Sequence, residues 1–392
     1  MDVRGVKRFA WVRMAPLLAL AVMAFSHPKA AAASKGKKGQ PTAPVPSQLY
    51  PGEKTPLPIH GWPAIIEPAR CDAEGNIYIW GAANLQAAES AARQGLNGLA
   101  ITRIKPDSGR LTEFAPASPE GYRGYARPGF YVDPRGAVYA LIIAYKHALG
   151  YHAGPNPPHV LVVQYKDDGT LDSVTKLEPP PGPSLEAFGF AAFLDGSILL
   201  TGNLVSGTPG VSKMLVPTKP FTWVFNRSGV FETSVKLADD VGPPDKNWMK
   251  EGRKGGEWMI EIERGGMLGS IDGTVYLYRA SDPVRLYAVS SGGSVFRRVT
   301  ITPPRPGMWP MQASLTENGQ VLIEFGTTTP SKQLGASPLM LALADLETGA
   351  VTGVYKIPPG AGMPTCADPQ GGFLFLNLSK HGNLEVQTFV PQ

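Results

Sequence analysis

The 392-residue chain is poor in the residues that usually announce chemistry: it has two cysteines, Cys71 and Cys366, and six histidines. Two cysteines exclude a zinc-ribbon framework and a disulfide-dense scaffold. No G-x-S-x-G, Walker or H-E-x-x-H stretch occurs, which removes the serine-hydrolase elbow, the phosphate loop and the zincin helix. Long apolar runs are also absent. The longest, Met14 to Phe25, falls short of the roughly 20 residues a spanning helix needs.

That short run has a recognisable setting. Arg4, Lys7, Arg8 and Arg13 precede it, and alanines with an A-x-A site near Ala30 to Ala33 follow, which is the plan of a secretory signal peptide over residues 1–33. Residues 34–47, rich in Lys, Gly, Pro and Ser, read as a flexible tether. Residues 1–33 hold five Lys/Arg against one acid, so their removal takes the formal net charge from +5 to +1. The basic pI belongs to targeting segment and tether, and nucleic-acid binding loses its electrostatic footprint. No membrane span is expected after cleavage, and the location is secreted or periplasmic in a bacterium.

What the chain does have is glycine (45) and proline (39), spread between short alternating apolar runs, the pattern of an all-β fold. One phrase recurs: an acid, a turn glycine, then period-2 apolar residues. It appears as DAEGNIYIW, DPRGAVYALI, DGSILLTG, DGTVYLY, ENGQVLIEF and DPQGGFLFL, with glycines at 75, 136, 196, 273, 319 and 371. A second glycine turn follows in five units, at Gly109, Gly169, Gly229, Gly293 and Gly349, at offsets of 34, 33, 33, 20 and 30 residues. Two hairpins per unit make a four-stranded blade. The sixth unit lacks its last strand, which residues 48–60 can supply. The expectation is a six-bladed β-propeller over 48–392, its ring closed by an N-terminal strand completing the last blade.

The Pro-led strand, the Asp-x-x-Gly turn and the IYI-type strand of DAEGNIYIW resemble those of six-bladed propellers of the NHL-repeat, SMP-30 and TolB-like type. Gly81 stands where the NHL repeat often carries another aspartate. The SMP-30 resemblance implies a divalent cation in the central channel, held by a Glu, two Asn and an Asp, with Glu67 as the acid on the first inner strand. The acid and glycine of the phrase have a plainer role: carboxylates accept turn N–H groups, and glycines supply unusual backbone angles.

Tight first and second turns would put all other connections on the opposite face, where 81–98, 144–159, 203–220 and 238–266 are long. Aromatics collect there, and Trp248, Trp258, Tyr122, Tyr125 and Tyr151, with His152, are the binding candidates; Trp62 and Trp309 are assigned to packing. His147, His152 and His159 crowd one loop, but their spacing matches no metal signature, so no metal residue and no catalytic residue is assigned. Asn226 and Asn377 begin glycosylation triplets, read as chance in a bacterial chain.

The expected function is an exported binding or scaffolding protein presenting a loop-rich aromatic face to a protein, peptide or carbohydrate ligand, with no cofactor. The alternative is a lactonase-like, metal-assisted hydrolase or lyase at the channel mouth. Cys71 and Cys366 fall late in the first strands of units that neighbour each other in a closed ring. A disulfide across the closure is one reading in an oxidising compartment; two separate buried thiols is the other, because their one-residue offset could turn the side chains to different faces.

Overall fold

The computed structural model describes residues 44–60, 69–80, 100–116, 123–145, 159–182, 184–206, 216–240, 242, 257–327 and 339–392. Strand β1 (Ser47–His60) comes first. The first sheet holds β2 (Arg70–Cys71), β3 (Ile77–Trp80), β4 (Ile101–Lys105) and β5 (Arg110–Phe114). The second holds β6 (Arg123–Val132), β7 (Val138–Tyr145), β8 (His159–Tyr165) and β9 (Leu171–Leu177); the third β10 (Ser184–Ala192), β11 (Ile198–Ser206), β12 (Val216–Phe225) and β13 (Phe231–Ser234). Helix α1 (Glu257–Glu263) precedes the fourth sheet of β14 (Gly266–Gly269), β15 (Val275–Arg279), β16 (Val284–Val289) and β17 (Val295–Ile301). Then come β18 (Met308–Leu315), β19 (Gln320–Thr327), β20 (Met340–Asp345), β21 (Val351–Lys356), β22 (Met363–Ala367), β23 (Phe373–Leu378) and β24 (Asn383–Pro391). With β1 they form one eight-stranded sheet ordered β18-β19-β20-β21-β1-β24-β23-β22.

The first strands touch in a closed cycle, β2 to β6, β10, β14, β18, β22 and back to β2. Sheets radiating from such a ring make a β-propeller. The register shows how the ring closes: β1 runs antiparallel to β24 from Leu49↔Pro391 to His60↔Asn383, and touches β21 in parallel only at Ser47↔Tyr355 and Gln48↔Lys356.

Second strands are mostly apolar because neighbouring sheets cover both faces. In β3, Ile77 and Ile79 pack with Leu374 and Leu376 of the eight-stranded sheet, while Tyr78 and Trp80 pack with Phe130 and Ile142 of the second. The same alternation in β15 sends Val275 and Leu277 toward the third sheet and Tyr276 and Tyr278 toward β18–β21.

The repeated acid is a turn residue. Asp72 Oδ1 accepts the N–H groups of Glu74 (3.0 Å) and Asn76 (2.9 Å), while its Oδ2 accepts from Asn76 Nδ2 and the Tyr78 hydroxyl, both at 2.8 Å. Asp133 accepts from the N–H of Arg135 and Ala137, and Asn226 plays the same part toward Ser228 and Val230. The second glycine has a role beyond its positive φ. It lets each turn lie against the outer strand of the preceding sheet: a Cβ on Gly169 would meet the Glu113 carbonyl oxygen at 2.2 Å. The series includes the closure, where Gly109 lies over Pro56 of β1.

Cys71 and Cys366 form a disulfide (S–S 2.04 Å, Cα–Cα 6.2 Å) between the first sheet and the last first strand. Although the two residues sit at different offsets from their turn glycines, β22 carries a register shift between Pro364 and Cys366. That shift lies before Cys366, however, and it is the one-residue offset itself that brings the two together: Cys71 is opposite Ile77 and Cys366 opposite Leu374, the faces through which the two neighbouring sheets pack. No helix among the described residues is long and apolar enough to cross a membrane.

Candidate functional site

The fold gives the channel two unlike ends. At one, first turns such as Asp72–Gly75 and Asp368–Gly371 link first to second strands in a few residues. A cavity of about 290 Å³ opens there, its wall including Arg70, Ser270, Gln320, Tyr355 and the disulfide pair. Its carboxylates are largely committed: Asp72 is saturated as above, and Asp368 holds the Gln370 N–H at 3.0 Å.

The other end carries the long connections. From β3 to β4, β7 to β8, β11 to β12 and β19 to β20 the chain leaves the same end of the sheets, as does the segment from β13 to α1. Trp248, Tyr122, Tyr151 and His152 lie outside the described residues, as do Trp62, His147 and Glu67. The backbone of Tyr125 is in β6 opposite Ala144, and that of Trp258 is in α1. Trp309 is half-buried in β18, and His159 begins β8.

Where the third and fourth sheets meet under α1, the structure assembles a polar network that sequence pattern did not single out. Arg279, fully buried at the end of β15, donates from Nε and Nη2 to Asp240 (3.0 and 2.6 Å) and from Nη2 to the hydroxyls of Thr201 (3.1 Å) and Thr222 (3.3 Å). Among the described residues its Nη1 has no partner, and neither has either amide atom of Asn203, which follows Thr201 on the same face of β11. Arg285 pairs with Glu261 of α1, and the Tyr287 hydroxyl donates to Asp239. These ion pairs join residues 24 to 39 positions apart, beyond any local spacing rule. The one available signal was a second strand, VYLYR, that ends in arginine.

A second unusual group is Glu324 of β19, opposite Gln312 of β18. The Gln312 amide donates to the Pro364 carbonyl across the seam. Burial pushes the Glu324 carboxyl up to about 7, against which the Gln312 hydrogen bond acts weakly. Counting five residues on from the turn glycine, the same position in the other units is Trp80, Leu141, Thr201, Tyr278 or Leu376.

Among the described residues no group of three or more His, Cys, Asp and Glu side chains converges.

No protein-family model matches the chain, and no curated protein matches it. Among solved structures it is similar in shape to a gluconolactonase from Xanthomonas campestris, with 14% identity, 89% of this chain and 99% of that one covered, and a TM-score of 0.44. A PQQ-bound aldose sugar dehydrogenase from Streptomyces coelicolor matches at 14% identity, covering 88% and 99%, with a TM-score of 0.41. A luciferin-regenerating enzyme matches at 9%, covering 86% and 95%, with a TM-score of 0.44.

Proposed function

We propose that the protein is an exported six-bladed propeller that binds a partner or ligand through its loop-rich end. The carrying observation is the sorting of connection lengths: one end of the sheets has four- to five-residue turns, and the other has every long connection. Long loops on a rigid scaffold are where recognition concentrates. In this reading the eight-stranded sheet is two blades touching at Ser47 and Gln48, and the Cys71–Cys366 disulfide supports export to an oxidising compartment.

The test is a thermal-shift screen of oligosaccharides and peptides against mature protein. Any stabilising ligand should lose its effect when residues 146–158 are replaced by a short Gly/Ser linker, and keep it when exposed Glu317, at the tight-turn end, becomes Gln. The reverse pattern would place binding at the tight-turn cavity and defeat the proposal.

One observation favours the second reading, a hydrolase or lyase at the channel mouth. Glu324 holds its proton into the neutral range, as a general acid at neutral pH must. If that reading holds, turnover of a lactone panel falls in Glu324→Gln while ligand binding persists.

A further inference from the structure

The Cys71–Cys366 bridge forms part of the wall of the cavity at the tight-turn end. Cys71 is half-buried and Cys366 only 2% exposed, so a solute in the cavity meets Cys71 first. At about 290 Å³ the space is at the small end of ligand pockets. It admits a small thiol and shuts out a protein. Asp72, Glu317 and Asp368 line it against a single basic residue, Arg70, so its field favours neutral or cationic solutes over anionic ones.

The strand that carries Cys71 is weakly built. β2 has two residues, where β6, β10, β14, β18 and β22 have ten, nine, four, eight and five. Its ladder to β3 consists of Arg70↔Tyr78 and Cys71↔Ile77. Behind it β3 is buried along its whole length, with Ile77 and Ile79 packed on Leu374 and Leu376. The bridge thus fastens a short strand with little ladder of its own, in front of a strand that apolar packing holds without it.

We propose that the bridge is a thiol-exchange site of the native fold: a neutral or cationic low-molecular-weight thiol enters the cavity, reduces Cys71–Cys366 and releases β2 from the ring. The small thiolate attacks Cys71 Sγ, forming a mixed disulfide and expelling the Cys366 thiolate, which takes up a proton. A second thiol, or the other arm of a dithiol, attacks the mixed disulfide and leaves Cys71 reduced. The protein disulfide gains two electrons, and the small thiols depart as their own disulfide. β2 then parts from β22, its neighbour across the closure, and the channel mouth widens while β3 keeps its place. This device does not rest on binding at the loop-rich end.

The experiment reduces oxidised mature protein with increasing dithiothreitol, a neutral dithiol, in water and in urea below the unfolding transition. Alkylation and mass spectrometry count the freed thiols. The rate should rise in proportion to dithiothreitol and stay unchanged by urea, because no unfolding precedes attack. A reduced thioredoxin, too large for the cavity, should act only at a rate that climbs with urea. Hydrogen exchange of protein held reduced should then lose protection over residues 69–80 by about tenfold or more beyond any loss in β10–β13. The proposal is overturned by dithiothreitol reduction that tracks urea as unfolding does, by thioredoxin acting independently of urea, or by protection lost evenly across the sheets.

Discussion

Gly229 lies so close to Lys176 that a Cβ on the glycine would sit 2.0 Å from the lysine carbonyl oxygen. The turn before β13 is thus seated on the outer strand of the second sheet, and Glu178 N–H bonds Gly229 O at 2.7 Å to hold it there. A glycine that looks like turn punctuation is a contact between sheets.

Gly229→Ala should cost about 2 to 4 kcal/mol, since it adds a backbone collision to a left-handed φ. Gly371→Ala has the strained φ but nothing within 4 Å of its Cβ, and should cost about 1 to 2 kcal/mol. Urea unfolding of the two variants compares them directly; equal losses would show that the inter-sheet contact is not limiting.

Removing the disulfide by Cys71→Ser with Cys366→Ser should lower stability by about 2 to 4 kcal/mol. Guanidinium melts of the double variant and the oxidised parent read the difference. Thiol titration of denatured, unreduced parent should find no free thiol.

Deleting residues 46–60 removes β1 and strips β24 of its partner, exposing strand edges on both β24 and β21. That variant should melt far lower and aggregate. Deleting 34–44 stops short of every ladder bond of β1 and should shift the melting temperature by less than about 2 °C. Calorimetry of the two truncations is the check.

Glu324 makes stability depend on pH. Its carboxyl rises from 4.5 to about 7 on folding, so between those values the folded state holds a proton that the unfolded state has released. The stabilisation is fully present below about pH 4.5 and is lost as pH climbs through 7. It amounts to about 3 kcal/mol. Glu324→Gln should flatten this part of the stability profile and exceed the parent in stability above pH 7, as read by denaturant midpoints from pH 4.5 to 8.

Arg279→Met should lower stability by about 3 to 5 kcal/mol, because Asp240 is left as a buried charge without its partner. Replacing Asp240 by Asn in the same chain should recover part of the loss; a chevron or equilibrium cycle over the four proteins measures the coupling.

The sequence alone determined the turns and the strands. An acid that accepts N–H groups two and four residues on, a glycine with positive φ and a period-2 run are all local, so Asp72–Gly75–Tyr78 could be read without neighbours. Repetition of that phrase gave the radial plan, and the missing last strand pointed to residues 48–60. The third dimension decided what each repeat meets. Whether Cys71 reaches Cys366 depended on which faces of the first and last sheets pack together, and whether Gly229 is a turn or a contact depended on the Lys176 carbonyl of another sheet. The helix between β13 and β14, the pairing of Arg279 with Asp240 and the burial of Glu324 likewise arise only when sheets distant in sequence close on one another. Pattern in a chain encodes the conformation of nearby residues, whereas desolvation and pairing are set by atoms that folding brings in from elsewhere.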